Sequence, residues 1–147
     1  MSNLYRAALA VLVLAPGAAF AQSLASCPSL PADTGLTWEQ LDGPGFVFCR
    51  ALRGDGSEAF AVTISDHSPF EPSRRNRAEP ASIAGHQAHW YRSEIAGQDV
   101  IARETLVEVD GGSVAHISLR AADEAQKAQA MQQVQALRFE DARLSSN

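Results

Sequence analysis

Only two cysteines, one short apolar run and no surplus of basic charge mark this 147-residue chain. Each shortage excludes something. The cysteines, Cys27 and Cys49, form no C-x-x-C pair, so they are not read as a redox centre. The apolar run, Ala7 to Ala15, is too short to span a bilayer as a permanent helix. No later stretch is long and apolar enough, so no transmembrane segment is expected. With 12 Lys and Arg against 17 Asp and Glu, the net charge is −5, and nucleic acid is a poor partner. Neither a G-x-S-x-G elbow nor an H-E-x-x-H motif occurs, so no hydrolase declares itself. "GDGSEA" (54–59) matches G-x-G-x-x-A. A dinucleotide site needs a helix to begin there. A strand pattern follows instead, so the stretch is read as a hairpin turn.

Residues 1–21 have the parts of a secretory signal peptide: Arg6, the apolar run, the break at Pro16-Gly17, and the small-residue site Ala19-Phe20-Ala21. The mature chain, 22–147, is read as a single α+β domain exported to a bacterial periplasm. "LASC" (24–27) also resembles a lipobox, which would anchor Cys27 to a membrane through lipid. Gln22 and Ser23 interrupt the apolar run before it, and lipidation would leave Cys49 as an odd thiol. In an oxidising compartment a Cys27–Cys49 disulfide is preferred. It would close a loop worth about 3 kcal/mol in the chain-entropy model.

Residues 22–35 read as a Pro/Ser-rich arm held by Cys27. "LTWEQL" (36–41) admits a capping box at Thr37 and Gln40 or a strand, and the strand is preferred. "FVFCRAL" (46–52) and "AFAVTIS" (59–65) are strands. In the second, Phe60, Val62 and Ile64 share a face. "DHSPFEPSRRNRAEPAS" (66–82) reads as one long loop. Strands follow near 86–95, 99–109 and 113–121, with Gly97-Gln98 as the first hairpin turn. Over 123–137 the period changes to helical. Asp123 is the expected N-cap with Gln126 three residues on, and Ala125, Ala128, Met131, Val134 and Leu137 form the expected apolar stripe. Phe139 is expected to tuck in behind. The expected fold is α+β, an antiparallel sheet of about five or six strands with a C-terminal helix packed on one face.

No catalytic group, metal site or cofactor is assigned. His86 and His89 point to opposite faces of a strand and do not readily share an ion. Glu104 and Glu108 share a strand face about 13 Å apart, too far for a glycosidase pair. Arg103 with Glu104, and Arg92 with Glu94, read as surface ion pairs. "RRNR" (74–77) is the one basic cluster in an acidic chain. Arg74, Arg75 and Arg77 are therefore candidates for gripping an acidic group on a protein partner through bidentate contacts, with Phe70 as anchor. "HWYR" (89–92) is rich in the residue types that dominate interfaces. Trp90 is assigned to the core, and His89 and Tyr91 to the partner-binding set.

"FAVTIS", "HSPFEP", "IAGHQAHWYRSE", "RETLVEVDGGSVAHISL" and "AQAMQQVQALRF" occur in an order that resembles the PsbP-like α+β fold over residues 46–140. That fold includes periplasmic immunity proteins that neutralise toxins delivered by neighbouring bacteria. The resemblance implies a non-catalytic periplasmic protein-binding domain, an immunity protein or inhibitor of an envelope-targeting effector, with a secreted toxin or hydrolase as partner. It supplies no catalytic residues. The alternative is an envelope enzyme or small-ligand carrier, with a cavity between sheet and helix ringed by His89, Tyr91 and His116.

Overall fold

Alternating apolar and polar residues favour strands that bury one face and leave the other to solvent. The computed structural model describes residues 26–109 and 111–139; the expected signal peptide lies outside them. Among the described residues seven strands form one antiparallel sheet: β1 (Thr37–Gly43), β2 (Phe46–Leu52), β3 (Glu58–Ser65), β4 (Arg77–Ile83), β5 (His86–Ser93), β6 (Ile101–Val109) and β7 (Ser113–Ala121). Across the sheet they run β1-β2-β3-β7-β6-β5-β4. One helix, α1 (Glu124–Gln135), follows β7 and packs on one face, against β7, β4 and β3. The α+β class and the helix stand, but seven strands replace the expected five or six.

The additional strand is β4, taken from the segment read as the loop 66–82, which ends instead at Asn76. Pro80 argues against a central strand, because it cannot donate to the ladder. β4 is an edge strand, where that loss is tolerated. Its inward apolar positions are only Ala81 and Ile83, and Glu79 takes the next one, so its alternation is masked. Ala84 and Gly85, at φ 49° and 80°, join β4 to β5. Two successive left-handed residues match the type I′ turn that suits twisted hairpins. The expected turn at Gly97-Gln98 is instead a longer connection, since β5 stops at Ser93 and β6 starts at Ile101.

The core lies between the sheet and α1. Cys49 of β2, Val62 of β3 and Ile117 of β7 lie side by side in register, all fully buried. Trp90 is also fully buried, as expected. The Cys27–Cys49 disulfide is present, with Cα atoms 5.8 Å apart. It draws the N-terminal arm over the same face. There the Trp38 indole donates to the Pro28 carbonyl at 2.7 Å, and Trp38 meets Phe60 edge-on at 5.8 Å. Ser29 and Arg138 pair through their backbones, tying the arm to the chain beyond the helix. Phe139 is buried beside them.

The helix is capped as expected. The Asp123 carboxylate accepts from the Gln126 amide at 2.8 Å, and the Gln126 side chain accepts from the Ala122 amide. Its buried stripe differs from the expected one. Ala125 and Ala128 are exposed, while Lys127, Ala130, Met131 and Val134 are buried, followed by Leu137. Steps of three alone drift by about 60° each around a 3.6-residue helix, so a stripe must mix threes and fours.

Lys127 is buried because Glu79 meets it. The Lys127 ammonium lies 2.8 Å from Glu79 and 2.5 Å from Glu124. Arg103 holds both oxygens of the same Glu79 carboxylate, at 2.9 and 3.0 Å. Arg103 thus faces the helix rather than solvent, and its partner is Glu79, not Glu104. This bidentate bond from Arg103, with the bond from Lys127 added, lowers the Glu79 pKa to about 2. Glu124 and Glu79 in turn hold the Lys127 ammonium above its ordinary value. The cluster joins the helix to edge strand β4 and to β6.

A carboxylate with a depressed folded-state pKa stabilises the fold fully above its unfolded value. That stabilisation is lost as pH falls from the ordinary 4.5 towards about 2. Thermal melts of the wild type should therefore fall more steeply across this interval than those of Glu79→Gln. Parallel curves would remove the cluster from the stability of the fold. Val134→Asp places a charge against the sheet and is expected to cost on the order of 3 kcal/mol or more, whereas exposed Gln132→Asp should stay within about 0.5 kcal/mol. Equal effects in chemical denaturation would contradict the observed helix phase.

Candidate partner-binding face

Residues alternating with the core form the other face of the sheet, which the helix does not touch. Strand register arranges them in rows. Leu41, Phe48, Thr63, His116 and Leu106 form one row across β1, β2, β3, β7 and β6. Glu39, Arg50, Ala61, Ser118, Glu104, Tyr91 and Arg77 form the row beside it, which reaches β4. In this second row Arg50 lies between Glu39 and Glu58, at 2.8 and 2.9 Å.

The segment 66–76 crosses this face, because β3 and β4 are parallel and four strand positions apart. Ser65 and Arg77 are offset by about 19 Å across the sheet and about 13 Å along it. The twelve steps between them reach up to about 40 Å when extended. Length therefore leaves the crossing slack, and a contact midway pins it. The Phe70 ring stacks on the His116 imidazole at 5.0 Å and 10°, and meets Tyr91 edge-on at 6.0 Å. The His116 Nε2 lies 3.2 Å from a Glu104 oxygen, so the ring beneath Phe70 is itself held from β6. Such aromatic pairs add about 0.5–1.5 kcal/mol beyond burial.

Beyond this pin the chain makes a 3-10 turn, Arg74–Asn76, and enters β4 at Arg77. Arg92 of β5 donates to the Arg77 carbonyl at 3.2 Å, bringing a fourth arginine to the same corner. Arg74, Arg75, Arg77 and Arg92 are all exposed. None of the four forms an ion pair among the described residues.

The structure thus gathers most of the sequence-predicted residues. Phe70 and Tyr91 touch, Arg77 lies opposite Tyr91, and Arg74 and Arg75 precede it. His89 shares the face with Tyr91 but lies opposite Pro80, away from the arginines. His89, Tyr91 and His116 all lie on the face remote from α1, so they do not ring a cavity between sheet and helix. Two clefts do border the helix end. One of about 510 Å³ lies between Ser29–Pro31 and Gln135–Arg138. The other, of about 300 Å³, lies between His86, Glu108 and Phe139. Neither includes Phe70 or any of the four arginines.

Sequence reasoning did not place three participants, Arg92, Glu104 and His116. Arg92 reads as an ion pair with Glu94, and nothing local shows that it turns to β4. Glu104 and His116 form the seat for Phe70, a contact made by residues far apart in the chain. Among the described residues no helix is long and apolar enough to cross a membrane. No family model, curated protein or solved structure matches the chain.

Because Phe70 is only half-buried, Phe70→Ala should cost about 1–2 kcal/mol, less than the roughly 3–5 of a core phenylalanine. Its main effect is expected on the crossing: amides of 67–76 should exchange faster with deuterium while those of β6 and β7 keep their protection. Unchanged exchange over 67–76 would show that something other than Phe70 pins the segment.

Proposed function

We propose that this protein is a non-catalytic periplasmic protein-binding domain, an immunity protein or inhibitor that neutralises an envelope-targeting bacterial effector. The observation that carries this reading is the arginine corner. A chain with a net charge of −5 carries four exposed arginines where β4 begins and β5 ends, without internal ion pairs among the described residues. Like charges so placed repel, and a partner's carboxylates would relieve that repulsion. Planar guanidinium forks bind carboxylates bidentately, and Arg is enriched among the residues that dominate interfaces. The Phe70 pin supports the same reading, because it fixes the segment that carries Arg74 and Arg75. A preorganised loop loses less conformational freedom on binding. The disulfide is consistent with an oxidising exported compartment, and the PsbP-like resemblance points to the same class.

The test is the triple variant Arg74→Ser, Arg75→Ser, Arg77→Ser. Its melting temperature should stay close to that of the wild type, since exposed substitutions cost little. Immobilised wild-type protein should retain a secreted effector from competitor culture medium, and the triple variant should lose it. Calorimetry on the retained effector should show the greatest loss of affinity at low salt, where charge attraction is least screened. An effector bound equally by both forms at low salt would remove the corner from the interface.

A further inference from the structure

We propose that β1 is a seam through which two copies of this chain join, antiparallel, about a two-fold axis at Leu41. The two edges of the sheet are not alike. β4 carries Pro80, and its register is broken between Arg77 and Pro80, devices that discourage further strand pairing. β1 has neither: its seven residues contain no proline and pair with β2 without a break. Among the described residues no strand lies on its outer side. Among the described residues the two exposed large apolar side chains are Leu41, at 54% on β1, and Phe46, at 37% at the start of the neighbouring β2, and both face away from the helix. Phe46 is fixed there by Gly43. A Cβ on Gly43 would fall 2.2 Å from two carbons of the Phe46 ring, so only glycine lets the ring lie across the strand.

The strand is complementary to itself when centred on Leu41. Leu41 then meets Leu41 of the second copy, Glu39 meets Gly43, and Gln40 meets Asp42. No carboxylate lies opposite another, although β1 contains two. The even offset keeps both helix faces on the same side of the joined sheet. The Phe46 and Phe48 rings of the two copies extend the leucine contact. The arm tied by Cys27 lies on the helix face, and the arginine corners remain at the two far edges. A seam of this size is small beside a standard interface, so association should be weak. The proposal does not depend on the partner-binding reading.

Sedimentation of the oxidised full-length mature protein decides it. The wild type should pass from monomer to dimer at high micromolar concentration. Leu41→Lys should stay monomeric at every concentration with an unchanged melting temperature. Leu41→Cys should link to itself under mild oxidation, because directly opposed Cβ atoms lie about 5 Å apart. Glu39→Cys should not, because its symmetry mate lies about 13 Å away. A wild type that is monomeric throughout would overturn the proposal. So would a dimer unaffected by Leu41→Lys, or Glu39→Cys linking as readily as Leu41→Cys.

Discussion

One short helix must cover a sheet much wider than itself, and most of the structure follows from that mismatch. Seven strands span about 29 Å from first to last, whereas a twelve-residue helix is about 18 Å long and about 10 Å wide. α1 packs chiefly on β7, β4 and β3 and covers β1 and β2 far less. The N-terminal arm takes over there, and the Cys27–Cys49 bond and the Trp38–Pro28 hydrogen bond hold it in place. The disulfide therefore does more than shorten the unfolded chain. It keeps a cover over apolar residues that the helix cannot reach.

The opposite face has no such cover, and its composition reflects that. Its rows mix apolar, hydroxyl and charged residues, and the crossing from β3 to β4 touches it through Phe70. A segment held at one internal point and at both ends is ordered without being buried. Such an arrangement keeps the arginines wet and in place. The charged groups on the helix side behave differently: Glu79, Arg103 and Lys127 satisfy one another at the margin of the core, where the Glu79 side chain keeps about a third of its surface open to solvent.

Strand existence was legible wherever one face was uniformly apolar, as in "AFAVTIS" and "SVAHISLRA". It failed at β4, where the inward face presents Glu79 before Ala81 and Ile83 and where Pro80 suggests a loop. Both signals were physically sound. The charge is tolerated because Lys127 and Arg103 come to it from 48 and 24 residues away, and the proline because β4 is an edge. The helix cap was local and therefore readable; the helix phase depended on Lys127 finding Glu79 and was not. Likewise, the candidate residues Phe70, Arg74, Arg75, Arg77 and Tyr91 stood out by type, but the His116–Glu104 seat depends on the register between β6 and β7. No single segment contains that information.

The jump from β3 to β4 also divides the chain kinetically. β1, β2 and β3 pair with their sequence neighbours, as do β4, β5, β6 and β7, so each meander can close through short turns. The seam between them joins β3 to β7, with Val62 opposite Ile117, 55 residues further along the chain. Closing that separation carries the largest loop entropy in the sheet, and non-local pairing of this kind slows folding. The helix follows the last strand of the second meander and bridges back to β3. In a chain emerging N-terminus first, the first meander must therefore wait with its β3 edge unpaired until β7 is available.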